Sequence, residues 1–117
     1  MDILFYAIIA FVVYRAVKTM MPAKGIRQIA PADLKKEFTD KSRQFIDVRT
    51  PVEYGGRHLK PFKNIPLQQL SSRLGELDPQ REVTVICQSG MRSAKAAALL
   101  KKKGFTVSNV SGGMGAQ

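Results

Sequence analysis

Apolar residues are distributed along this chain in segments of different period. Ile3 to Tyr14, ILFYAIIAFVVY, is an unbroken apolar run, hydrophobic all round a helix. Beyond residue 25 the pattern changes to short runs separated by polar turns. IRQIA is a short extended piece. Pro31 at a first helical position opens a helix over PADLKKEF, with Asp33 early in it and Leu34 and Phe38 on one face. RQFIDVR reads as a strand, PVEYG as a single helical turn and KNIPL as a short extended segment. LQQLSSRLGEL spaces Leu67, Leu70, Leu74 and Leu77 along one side of a helix. EVTVIC is nearly continuous in apolar residues, as a parallel strand covered on both faces should be. Ser93 to Lys103 reads as a helix ended by Gly104, with Lys101, Lys102 and Lys103 at its negative end. FTVSNV is the last strand. This alternation predicts an α/β fold, an open, mostly parallel sheet with helices on both faces.

The first segment is made of different material from the rest. Extended to Met21 it is interrupted only by Arg15, Lys18 and Thr19, and nineteen helical residues span about 28 Å, close to a hydrocarbon core of about 30 Å. Arg15, Lys18, Lys24 and Arg27 all follow the run, and only Asp2 precedes it. That asymmetry argues against a signal peptide and places the carboxyl side in the cytoplasm. The expectation is a single-pass transmembrane helix over residues 1–21, contacting the membrane through 3–21, then a linker at 22–25 beginning with Pro22, and a cytoplasmic domain over 26–117.

Composition narrows the function. The 117 residues carry a formal net charge of +10, which attracts anionic substrates or an anionic leaflet. No helix-turn-helix, zinc or RNP-type pattern accompanies the charge, so nucleic acid is not an expected partner. One cysteine and one histidine exclude an internal disulfide framework and a multi-thiolate zinc site. No metal or cofactor is expected, and a free thiol suits a reducing compartment.

That single cysteine is the candidate for chemistry. Cys87 closes the EVTVIC strand and precedes Gln88, Ser89, Gly90, Met91, Arg92 and Ser93, where a helix begins. In open parallel sheets ligands bind beyond the carboxyl ends of strands. Gly90 supplies the dihedrals of a tight turn. The amides of the loop and of the first helical turn can converge into an anion nest, to which Arg92 adds charge. A thiol held there acquires a lowered pKa and becomes a nucleophile.

With these residues in view, CQSGMRS resembles the active-site loop of rhodanese-like domains. FIDVRTPVEY, NIPL and GFTVSNVSGGM resemble other signature stretches of that family, in the same order, over about Ile26 to Met114. The resemblance implies a five-stranded parallel sheet flanked by helices, and sulfurtransferase activity through a cysteine persulfide. Membrane-anchored single-domain members share this layout. Position by position, it implies that Cys87 takes up the sulfane sulfur, that Gln88 to Arg92 cradle it and that Arg92 assists anion binding. The resemblance further implies that Asp47 braces the loop by accepting hydrogen bonds, that Arg49 and Glu53 pair with each other, and that His58 is structural. The chain departs from the family at Arg57, at LKPFK and at Gln117, where the resemblance leads one to expect an aromatic residue and a closing helix.

The implied reaction moves sulfur from thiosulfate, a persulfide or a polysulfide to a thiol, to cyanide or to a protein thiol near the membrane. A non-catalytic binding or sulfur-carrier module is the alternative, although inactive relatives typically lose the cysteine. A phosphatase or arsenate reductase ranks lower. Cys-x4-Arg makes a loop one residue shorter than the Cys-x5-Arg of phosphatases, and no aspartate stands where a general acid is needed.

Overall fold

The computed structural model describes residues 2–20 and 25–117. Five strands form one sheet, β1 (Arg27–Ile29), β2 (Arg43–Asp47), β3 (Lys63–Asn64), β4 (Glu82–Ile86) and β5 (Val107–Val110). They lie in the order β1-β5-β4-β2-β3, and every adjacent pair is parallel. The five-stranded parallel sheet is as expected. β4 sits at its centre, with Asp47 of β2 opposite Ile86. The central place of β4 explains its apolar composition, because both of its faces are covered.

Strand parity sorts the core into two clusters. Val83, Val85 and Cys87 join Ile46, Val48, Ile65 and Leu70 on one face, where α3 (Leu67–Leu70) and α4 (Met91–Lys102) pack through Ala96, Ala97 and Leu100. On the other face Ile86 meets Ile29, Leu34, Phe45, Phe62, Val110 and Met114. There the cover includes 3₁₀ helices, Pro31–Glu37 contributing Leu34 and Gly113–Ala116 contributing Met114. Phe38, Phe45 and Phe62 pack edge to face among them, with centroids 5.3 to 6.3 Å apart.

Two helices differ from expectation. PADLKKEF winds as a 3₁₀ helix, with Leu34 its buried residue. LQQLSSRLGEL breaks into α3 and a 3₁₀ turn at Leu74–Glu76. The break follows from Ser72, whose hydroxyl bonds back to the carbonyl of Gln69 at 2.9 Å, offering the backbone an alternative to helical continuation. The leucine spacing still serves the core: Leu70 and Leu77 are buried, and Leu67 and Leu74 pack against the same cluster.

The amino-terminal segment is helical as expected, α1 running from Asp2 to Met20, with Ile3, Leu4, Phe5, Ile8, Phe11 and Val12 exposed. Among the described residues, however, no helix is long and apolar enough to cross a membrane. The uninterrupted apolar run of 12 residues measures about 18 Å before Arg15 is reached, so the expected spanning helix over 1–21 is not supported. The linker expected at 22–25 lies outside the described residues except for Gly25.

Candidate active site

The chain must turn from the centre of the sheet into α4 between Ile86 and Met91. Gly90 makes this possible with φ of +100°, a region closed to most side chains. Because Cys87 continues the parity of Val83 and Val85, it belongs to the α4 side, over Ser93 in the first turn of that helix. Cys87 is buried. Its Sγ receives the N–H of Gly90 at 3.0 Å and lies 3.4 Å from the hydroxyl of Ser93, which meanwhile donates to the carbonyl of Gly90 at 3.1 Å. A hydroxyl turns freely, so on ionisation Ser93 can redirect its proton to the sulfur.

These contacts decide the acidity. Burial by itself raises the Cys87 pKa, but the Ser93 hydroxyl and the N–H groups of Ser93, Gly90 and Ser89 outweigh it, and the net shift is below the ordinary thiol value. Gln88, Ser89 and Met91 are exposed around the thiol, Met91 to 75%, and form an apolar and amide rim.

The outer side of the loop is held by the carboxyl-terminal turn. Met114 N–H donates to the carbonyl of Cys87 at 2.7 Å, and Gly115 N–H to that of Gln88 at 2.9 Å. Gly112 and Gly113 both have positive φ, 74° and 60°. A Cβ on Gly113 would overlap the Cys87 carbonyl and lie 2.8 Å from the carbonyl carbon of Gln88. With the carbonyls of Cys87 and Gln88 tied outward, amides beyond them are left for the sulfur. Sequence reasoning read SGGM as a signature stretch but assigned it no task; its adjacent glycines were the available signal.

Two carboxylate–guanidinium pairs flank the loop, and they are not the pair expected. Arg49 grips Asp47, its Nε 3.0 and 3.1 Å from Oδ1 and Oδ2 and its Nη2 2.8 Å from Oδ2, with 3% and 0% of the side chains exposed. Nη2 also donates to the carbonyl of Arg57 at 2.6 Å, and Nη1 reaches Gln88 Oε1 at 3.3 Å. Asp47 therefore braces the loop through Arg49 rather than by direct bonds. Glu53 pairs instead with Arg92, at 2.6 and 2.8 Å, and the Arg92 guanidinium holds its carboxyl down to about 2. Glu53 is presented by α2 (Pro51–Gly56), whose capping box with Thr50 orients it. Arg92 is raised above its ordinary value, chiefly by the same bond. His58 is exposed, stacked on Tyr54 at 3.8 Å and bonded to its carbonyl at 2.8 Å, a structural role. Among the described residues no cluster of His, Cys, Asp and Glu is placed to hold a metal.

Known proteins of one family are similar to this chain. The family model of the Rhodanese-like domain matches residues 30–116. The chain is 32% identical over 105 residues to Uncharacterized protein YqhL of Bacillus subtilis (strain 168), covering 89% of this chain and 82% of that protein. It is 32% identical over 75 residues to Thiosulfate sulfurtransferase PspE of Escherichia coli (strain K12), covering 62% of this chain and 72% of PspE. A crystal structure of a rhodanese-like domain protein from Staphylococcus aureus superposes with a TM-score of 0.73 at 30% identity, over 78% of this chain and 90% of that one.

Proposed function

This chain belongs to the rhodanese-like domain family, and we propose that it is a sulfurtransferase that carries sulfane sulfur as a persulfide on Cys87. The observation that supports this most directly is the sulfur of the only cysteine, which receives the Gly90 N–H at 3.0 Å at the strand end.

In the proposed reaction the Cys87 thiolate attacks the outer sulfur of a donor. The donor's bond to that sulfur breaks, and its electron pair leaves as sulfite from thiosulfate or as a thiolate from a persulfide. The negative terminal sulfur of the new persulfide is stabilised by the preorganised N–H groups of Ser89, Gly90 and Ser93, an arrangement of the oxyanion-hole type. A thiolate or cyanide then attacks this terminal sulfur and Cys87 leaves as thiolate. Gln88 and Met91 line the entry, and Asp47 and Arg49 hold Gln88 in place. The test is incubation with thiosulfate or a persulfide, then mass spectrometry. The expected result is a gain of one sulfur atom, removed by dithiothreitol and absent in Cys87→Ser. Turnover surviving in Cys87→Ser would end the mechanism, because no other cysteine exists to carry the intermediate.

The same proposal attaches the domain to a membrane through α1, with the catalytic part on the cytoplasmic side. Supporting it are the exposed apolar side chains of α1 and the basic residues that follow them, which favour an anionic cytoplasmic leaflet. The full chain should float with vesicles containing anionic lipid, and protease added to spheroplasts should spare the domain. Recovery of the full chain in the vesicle-free fraction would overturn the attachment.

A further inference from the structure

The charges around Cys87 point to a specificity residue outside the nucleophile loop. Two guanidinium groups stand at the loop: Arg49 donates to Gln88, and Arg92, itself part of the loop, donates to Glu53. Each is already matched by a carboxylate. Arg49 is taken by buried Asp47. Arg92 is gripped by both oxygens of Glu53, with about a third of each side chain still exposed, 35% and 31%. The formal charges of these four groups cancel, so the two pairs leave no uncompensated guanidinium to offset the charge of an ionised Cys87.

We propose that Glu53, by neutralising Arg92, sets the donor preference of this site against dianions and in favour of donors of lower charge. The proposal rests on the sulfurtransferase reading and refines it. Glu53 touches neither Cys87 nor the reacting sulfur, so it acts through Arg92. It is fixed for this task by its place at the third position of α2, where Thr50 accepts its backbone N–H at 3.2 Å and the Glu53 carboxylate accepts the Thr50 N–H at 3.2 Å. The carboxylate is thus held by the capping box and by Arg92 together, and it stays ionised throughout the physiological range.

Thiosulfate and methanethiosulfonate make the comparison clean, because they share the sulfur to be transferred and differ by one charge. Attack of Cys87 thiolate on the outer sulfur yields the same persulfide from either. The S–S bond breaks with its electrons on sulfite in the first case and on methanesulfinate in the second, and no other reactant is consumed. Unpaired, Arg92 presents one full positive charge to the incoming donor. A unit charge several ångströms from the donor through partly solvated protein is worth about a fivefold change in relative rate per unit of donor charge.

The experiment measures kcat/KM for both donors in the full chain and in Glu53→Gln, Glu53→Ala and Thr50→Ala. Glutamine keeps the capping box and alanine does not, but both remove the charge. Thr50→Ala weakens the cap and leaves the charge. The expected result is a thiosulfate to methanethiosulfonate ratio raised about fivefold in both Glu53 variants and unchanged in Thr50→Ala. A ratio unmoved in the Glu53 variants, or moved equally in Thr50→Ala, overturns the proposal. A second measurement needs no sulfur transfer: the ratio of Cys87 alkylation rates by iodoacetate and by iodoacetamide, which also differ by one charge. That ratio should rise in the Glu53 variants. If neither donor forms a persulfide on the wild-type chain while the alkylation ratio behaves as stated, the sulfurtransferase reading fails and the electrostatic role of Glu53 stands. An alkylation ratio unmoved by Glu53→Gln overturns that role.

Discussion

The amide of Met114 donates to the carbonyl of Cys87 at 2.7 Å, tying the carboxyl-terminal turn to the residue at which the central strand ends. Cys87 is thus fixed from two directions. Its side chain is held by the first turn of α4, and its backbone by a segment more than twenty residues later.

Gly113→Ala tests that tie. A methyl group would overlap the Cys87 carbonyl at a backbone φ of +60°, and strain of this kind costs about 1–3 kcal/mol. Urea denaturation should show the loss, together with slower persulfide formation. Gly55→Ala, where a Cβ meets nothing within 4 Å, should be neutral or stabilising by up to about 1 kcal/mol.

Ser93→Ala removes a donor to the ionised sulfur. The Cys87 pKa should rise toward the ordinary value of 9.0, and iodoacetamide alkylation followed against pH will report it. Because folding lowers this pKa, the linked stability is fully present above 9.0 and is lost as pH falls through the folded value. An unchanged alkylation profile would remove Ser93 from the account.

Asp47→Asn and Arg92→Gln break ion pairs of different kinds. Removing Asp47 leaves Arg49 buried without its counter-charge, at a cost of about 3–5 kcal/mol, a large part of a small domain's stability. The Arg92–Glu53 pair is partly solvated, and losing it should cost at most about 1 kcal/mol. Chemical denaturation of the two variants should separate them clearly. Equal losses would contradict the burial difference.

The Arg92 guanidinium lowers the Glu53 carboxyl from its ordinary 4.5 to about 2. Solvent screening of this pair, about a third exposed, keeps its worth within the same limit of about 1 kcal/mol. Folding depresses this pKa, so the pair's contribution is complete above 4.5 and declines as pH falls toward 2. The stability gap between wild type and Glu53→Gln should be constant from pH 7 to 5 and close across the acid range. A gap that closes above pH 5 would mean the Arg92 bond is weaker in solution.

Much of this was legible along the chain, for physical reasons. β-branched and apolar runs divided by helical segments point to a parallel sheet, and EVTVIC reads as covered on both faces because an exposed face would not tolerate so few polar residues. A cysteine between that strand and a helix, with Gly90 to make the turn, stands at a ligand-binding address. These features depend on local order, which a linear pattern records. Tertiary structure decided the pairings. The family resemblance paired Arg49 with Glu53, but the turn after β2 folds Arg49 back onto Asp47, leaving Glu53 to meet Arg92 from a distant segment. The leucines of residues 67–77 kept their spacing while Ser72 interrupted the helix, since burial constrains positions and not the form of the backbone between them. Above all, the contact of Gly113 with Cys87 depends on β5 lying beside β4, and only the assembled sheet brings those two backbones within touching distance.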